Sequence, residues 1–337
     1  MIILVNPGHG NEPYILGARI ADKLASYIGM WGSDCRIIMP DLYGDRQAQI
    51  IQSLDLDHEL FMDDTLGKLA KPLVMQGSYE DHLDALFFNS AGLEGDINNY
   101  LIQEYGLADI EINVGARWSA GFNLFWVFPY IFSELVDRSI PVDFGIAPRK
   151  FEYIKHIAEK LEKDVDTFFV PSYNTFSFDT QRQPNPDEIS TPPLKPVPPS
   201  DTRTIPQNSV YCMMSGTGSE VVTVIARGRE LKLAGYHVIV PPWAPGDEFT
   251  KMDPGVITNP NVTKVVGRAG WGTMWLCQQT RKEFEPILYT PGDDPEIYFN
   301  IKTLEEISLQ DGTALQKKQF VNMDGVDYVA NQIMGKI

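Results

Sequence analysis

The chain of 337 residues is poor in cysteine, short of basic residues relative to acidic ones, and without a long apolar run. Its three cysteines, Cys35, Cys212 and Cys277, are odd in number and far apart. That spacing excludes a disulfide framework and a zinc site, both of which need clustered ligands, so no metal is expected. Lys and Arg number 28 against 45 Asp and Glu, a net charge of -17. Such a surface repels phosphate backbones and anionic headgroups, so nucleic acid is not an expected partner, although a local basic pocket remains compatible with it. The longest uncharged stretch, residues 118–133, falls short of the roughly 20 residues a spanning helix requires. No basic leader precedes the first apolar run, as a signal peptide would demand, and a cytoplasmic location is expected. Two Gly-x-Gly turns occur, but Pro13 and Val221 stand where the third glycine of a dinucleotide-binding fingerprint would fall.

What is present is an ordinary globular balance: 43% apolar and 22% charged residues, in a chain longer than one hydrophobic core usually organises. Residues 181–207 divide it. Pro184, Pro186, Pro192, Pro193, Pro196, Pro198, Pro199 and Pro206 bar a helix or central strand across that stretch. It reads as a semi-rigid linker, with a long surface loop as the alternative. On either side the chain starts in the same way. Residues 2–5 form an apolar strand, followed by Gly8-His9-Gly10, a helical pattern over 14–28 and a strand at 36–39. Residues 210–214 form another, followed by Ser215-Gly216-Thr217-Gly218-Ser219, a helical pattern over 220–233 and a strand at 237–240. Strand, Gly-rich turn, helix, strand is the βαβ unit of a parallel sheet. The fold class expected is α/β, with two Rossmann-like doubly wound domains facing a central cleft. The boundaries are 1–180 and 208–315, with a final helix over 316–337 returning toward the first domain. Within the first half, residues 81–105 read as helical, 110–114 as a strand, 149–161 as an amphipathic helix and 168–170 as a last strand.

Three segments carry chemistry. The turn 215–219 lies where a parallel sheet binds ligands, and its glycines let backbone N–H groups approach a phosphate, with Ser219 as N-cap of the next helix. A tight turn without ligand is the alternative. In Val265-Val266-Gly267-Arg268-Ala269-Gly270-Trp271-Gly272-Thr273 a short strand enters a second Gly-rich turn and a helix over 274–279, and Arg268 offers a fork for phosphate. After a strand at 286–289, Pro291-Gly292-Asp293-Asp294-Pro295-Glu296 places carboxylates in a turn, either for sugar hydroxyls or as a solvated acidic turn. Trp243 is a candidate for stacking on a base, or an aromatic of core or surface. The aromatic run 118–132 either lines an apolar acceptor pocket, docks on a membrane surface, or is buried core.

The second half, residues 210–300, resembles the C-terminal domain of GT-B glycosyltransferases. It is most similar to the peptidoglycan lipid-linked N-acetylglucosaminyltransferase and the UDP-glycosyltransferases. The resemblance implies a nucleoside-diphosphate-sugar donor, with UDP as the expected nucleotide and no separate cofactor. It assigns Ser215, Gly216, Thr217, Arg268, Gly270 and Thr273 to the diphosphate, with Gly218 and Ala269 in the same turns, and Asp294 to the donor sugar, with Asp293 beside it; Trp243, and Gln278 or Gln279 in place of a ribose-binding Glu, are the nucleoside candidates. Gly8-His9-Gly10 looks like the family's Gly-His turn, which makes His9 the general base on an acceptor hydroxyl, in an inverting, metal-independent transfer. The bland alternative is a turn histidine bonded to backbone. Two departures stand out: Leu276 occupies the place of a ribose-binding Glu, and Asp96 and Asp109 are the carboxylates at the spacing of a His–Asp dyad, neither in a convincing context. The acceptor is unspecified, an apolar or lipid-linked molecule being compatible with the aromatic run and with peripheral membrane contact. A non-catalytic binding subunit and another GT-B enzyme, such as a nucleotide-sugar epimerase, are the rival functions.

Overall fold

Runs of β-branched and aromatic residues flanked by Gly, Pro, Asn or Asp become strands, and the helical periods between them cross from one strand to the next. The structure, a computed structural model, describes all residues except 75–76, 89, 116–122, 172–184, 196–198, 215–217 and 316–317, together with the side chains of 90, 91, 218 and 219. The described chain divides into two units, Met1–Leu194 with Met323–Ile337, and Lys195–Asn322.

The first unit runs β1 (Ile2–Pro7), α1 (Asn11–Met30), β2 (Arg36–Pro40), α2 (Asp45–Gln52), β3 (Leu60–Asp63), α3 (Asp64–Val74), α4 (Tyr79–Phe87), α5 (Ser90–Tyr105), β4 (Ile110–Val114), β5 (Leu124–Val127), α6 (Phe132–Ser139), α7 (Pro148–Lys163), β6 (Thr167–Pro171) and β7 (Glu188–Thr191). Its seven strands are ordered β3-β2-β1-β4-β5-β6-β7, and the pairings are parallel. β4 and β6 are buried at every position, the pattern of strands covered on both faces. α1 comes close to the sheet at Gly17, where an added Cβ would fall 2.4 Å from Val5 Cγ1. In α7, Phe151, Ile154 and Ala158 are buried as its period requires. Glu162 of α7 is buried too, because its carboxylate accepts from the Ser133 N–H and hydroxyl in the first turn of α6 at 2.8 and 2.6 Å.

The second unit runs β8 (Ser209–Cys212), α8 (Gly218–Leu233), β9 (His237–Val240), β10 (Thr250–Lys251), β11 (Val262–Gly267), α9 (Trp271–Thr280), β12 (Glu283–Pro286) and α10 (Pro295–Leu304). Its sheet is also parallel, ordered β10-β9-β8-β11-β12. α11 (Gly325–Met334) belongs to the first unit: Asp327 accepts from the Tyr27 hydroxyl of α1 at 2.6 Å, and Gly325 lies against the Pro193 carbonyl, where a Cβ would sit 2.3 Å from its oxygen. No helix among the described residues is long and apolar enough to cross a membrane.

Several sequence expectations are corrected. The range expected to connect, 181–207, contains β7, an edge strand whose neighbouring prolines cost no ladder bond on the open side. The helix expected over 81–105 is two helices, α4 and α5. The strand expected at 286–289 lies at 283–286. There Glu283 and Glu285 both pair with Lys264 of β11, at 2.8 and 3.0 Å, and that charge disguises a strand in the sequence. α8 begins at Gly218, which puts Ser219 inside the first turn rather than at the cap. In the aromatic run, residues 124–127 are the buried strand β5, and Phe128, Tyr130, Ile131 and Phe132 are core. That part is neither an acceptor lining nor a membrane face; residues 118–122 lie outside the described residues.

Candidate functional site

Both sheets reverse direction at one place. β1 leads to β2 on one side while its other neighbour is β4; β8 leads to β9 while its other neighbour is β11. Open parallel sheets bind ligands outside the carboxyl ends of the strands at such a switch point. His9 follows β1 directly, and Arg268 follows β11 directly. Two motifs chosen from sequence therefore stand at the two switch points.

In the first unit the turn after β1 is fixed by backbone. Gly8 N–H donates to the Val114 carbonyl at 2.6 Å, and Gly10 N–H donates to the Tyr43 hydroxyl at 2.7 Å. Gly10 has φ +96°, a conformation costly for any residue with a Cβ. His9 is exposed, and its Nδ1 lies 3.0 Å from the carbonyl of Val74, at the end of α3. A carbonyl only accepts, so Nδ1 holds a proton, and in the neutral ring Nε2 carries the lone pair. One partner of His9 is thus a backbone oxygen. Neither Asp109, which accepts from the Ile2 N–H at 2.7 Å, nor the exposed Asp96 of α5 takes that role. His82 of α4 stands beside it, ring centroids 6.1 Å apart. Burial, with His9 adding to it, pushes the His82 pKa down to about 4, and its Nδ1 is out of solvent with no hydrogen-bond partner. Below this turn Asn6 of β1 donates to Glu111 (2.7 Å) and to Asn113 (3.1 Å) of β4, a buried polar group at the centre of the sheet.

In the second unit Arg268 does not stand free. Its Nε lies 2.6 Å from Glu220 Oε1 in the first turn of α8, and Nε and Nη2 donate to the two oxygens of Asp293 at 3.2 and 2.7 Å. Its side chain is 21% exposed and that of Glu220 only 3%. Burial opposes the charge on Arg268, but the hydrogen bonds and the fields of Asp293, Glu220 and Asp294 outweigh it and hold its pKa above the ordinary value. Burial likewise works to raise the Asp293 pKa, and Arg268 reverses the sign and holds it low. Asp294 caps α10 by accepting from the Glu296 N–H at 3.2 Å. Burial lifts its pKa to about 6 against Arg268, with Asp293 adding to the rise. Glu296 is lifted to about 8 by burial and by Asp294, while Arg268 and a hydrogen bond from the Trp271 N–H at the start of α9 work the other way. α9 starts after Gly270; in its first turn the Trp271 N–H bonds Glu296 and the Thr273 N–H donates to the Gly270 carbonyl at 3.1 Å, and the positive end of the helix dipole lies there.

The other sequence candidates separate. Ser215, Gly216 and Thr217 lie outside the described residues, and Gly218 opens α8. Gly270 and Thr273 sit at the start of α9 beside Arg268. The Ala269 side chain is fully buried and its carbonyl accepts from Asn300 at 2.6 Å, so any contact would come from backbone. Trp243 is 54% exposed just past β9. Gln278 is completely buried in α9, and its Oε1 accepts from the Leu315 N–H at 2.6 Å. Gln279 donates to the Lys195 carbonyl at 2.6 Å. Asp293 is no solvated turn residue, being engaged by Arg268. Sequence reasoning missed Glu220, His82 and the Val74 carbonyl; an acid in a first helical turn is the one signal Glu220 gives, and it is a common one.

No family model matches the chain, and no curated protein does. Solved structures do. A UDP-glucosyltransferase from Polygonum tinctorium capable of glucosylating indoxyl is 11% identical with a TM-score of 0.53, covering 99% of this chain and 93% of that one. UGT89C1 of Arabidopsis thaliana, complexed with UDP-L-rhamnose, is 12% identical with a TM-score of 0.53, over 99% and 93%. UGT71G1 of Medicago truncatula, complexed with UDP-glucose, is 12% identical with a TM-score of 0.53, over 99% and 98%. At such identity the likeness is one of fold: two parallel-sheet α/β domains of the GT-B type.

Proposed function

We propose that this chain is a glycosyltransferase that moves a sugar from a nucleoside-diphosphate donor, UDP foremost, to an acceptor hydroxyl. The observation that carries it is the position of Arg268, Gly270 and the N-terminus of α9 at the switch point of the second sheet, where a diphosphate meets the positive end of a helix dipole and a held guanidinium. The UDP-sugars bound in two of the structures sharing this fold support the same choice of donor. In this reading His9 removes the acceptor proton at Nε2, and the Val74 carbonyl keeps the ring in the required tautomer. The acceptor oxygen attacks the anomeric carbon, the bond to the diphosphate breaks, and the configuration inverts. Arg268 and the positive end of α9 meet the charge that develops on the leaving group, without a metal ion in that role.

The test is calorimetry of the purified protein with UDP, GDP, ADP, dTDP and NAD. Saturable binding of UDP, lost in Arg268→Ala, is the expected result. Absence of binding to any of them would overturn the reading in favour of a non-catalytic binding subunit, the function that Leu276, buried in α9 at the ribose-binding position, speaks for.

A further inference from the structure

We infer that Glu220 is a positioning residue for the diphosphate: with Asp293 it holds the Arg268 guanidinium along one edge and so presents Nη1 to a phosphate oxygen. This rests on the donor reading above and adds a residue to it. The geometry is specific. Asp293 takes Nε and Nη2 as a fork, and Glu220 approaches Nε from a different element, α8. The Asp293 fork sets the plane of the guanidinium; the Glu220 carboxylate, an ion pair with Nε rather than a second hydrogen bond, adds a hold from another element. The guanidinium donates to Asp293 through Nε and Nη2, the edge away from Nη1. Glu220 follows Gly218 by two positions, so the same ion pair ties the start of α8 to the turn after β11. A carboxylate buried to 3% exposure is costly unless it is paired; Glu220 pairs with Arg268 and is in hydrogen-bond contact with Asp293 as well.

Two outcomes of opposite sign separate this role from its rival, in which Glu220 competes with the ligand for Arg268. If Glu220 positions Arg268, Glu220→Gln weakens UDP binding about tenfold while uridine, which has no phosphate, binds as before. If Glu220 competes, Glu220→Gln tightens UDP binding, and the inference is overturned. Coupling gives the second readout: Glu220→Gln combined with Arg268→Ala should bind UDP no more weakly than Arg268→Ala alone, because Glu220 acts through the guanidinium. Additive losses in that cycle would also overturn it. Asp293→Asn serves as the second variant should Glu220→Gln fold poorly, and it is expected to couple to Arg268 in the same way. Failure of the unaltered protein to bind any nucleotide strikes the donor reading itself, whereas a tightened or uncoupled Glu220→Gln strikes this inference alone.

Discussion

An imidazole acts as a base only through the nitrogen that lacks a proton, and at His9 a backbone oxygen makes that choice. The carbonyl of Val74 fixes the Nδ1–H tautomer without adding a negative charge. A carboxylate in the same place would also stabilise the imidazolium as it forms; a carbonyl does so more weakly. His82, neutral at physiological pH and close by, adds no charge either. We predict that His9→Ala lowers the rate of sugar transfer by a factor of about 10²–10⁴ and leaves UDP affinity unchanged. Transfer rates and calorimetry on one preparation would check both halves; undiminished transfer would remove His9 from the mechanism. The residue type and its glycine neighbours were legible in the sequence. Its partner was not, since a carbonyl at position 74 has no side-chain signature and is brought to His9 only by the end of α3.

At the scale of elements, close approach decides which small residues matter. Gly67 in α3 packs on the loop after β2, where an added Cβ would lie 2.0 Å from the Asp41 carbonyl oxygen. Backbone cannot yield as a side-chain tip can, so Gly67→Ala is expected to destabilise the first unit by about 1–3 kcal/mol. Gly92, in α5, meets nothing within 4 Å. There alanine should add stability, up to about 1 kcal/mol, through helix propensity alone. Chemical denaturation of both variants would show changes of opposite sign; a neutral Gly67→Ala would mean that α3 shifts freely on the sheet. Elements themselves were read unevenly. β9 was legible at its bounds because Val238, Ile239 and Val240 run uninterrupted before turn residues, and β4 because Ile110, Ile112 and Val114 alternate with polar residues. β12 was displaced because two glutamates on it are neutralised only by Lys264 of the neighbouring strand. β7 was hidden by its prolines, which an edge strand tolerates and a central one does not.

Across the whole molecule the two units carry titrating groups that respond to pH in opposite directions. Glu296 has its pKa raised from 4.5 to about 8, and Asp294 from 3.8 to about 6. A raised folded pKa means that the native state holds the proton more tightly. The stability these groups contribute is complete below their unfolded values and is lost as pH rises toward about 8. His82 has its pKa lowered from 6.5 to about 4. Its contribution is present above pH 6.5 and lost as pH falls toward 4. Raising the pH from 5 to 8 should therefore stabilise the first unit relative to the second, by a few kcal/mol at most. Hydrogen exchange resolved by segment would follow both units in one sample. Glu296→Gln should flatten the response of the second unit between pH 6 and 8; an unchanged slope would show that Glu296 is not the titrating group.

Local pattern alone was enough for the α/β class, the division into two parallel units and the placing of His9 and Arg268 after strands. Apolar runs, glycine turns and helical periods are properties of neighbours in the chain, and they survive in any fold that uses them. The strand order placed those turns at switch points. Tertiary structure also decided what the side chains there are bonded to. It set the Val74 carbonyl against His9, sealed Gln278 in the core and closed two carboxylates on Arg268 from elements 25 and 48 residues away in sequence. Charges and hydrogen bonds act through space over a few ångströms, so the partners of a buried group follow from packing, which the order of residues specifies only once the chain has folded.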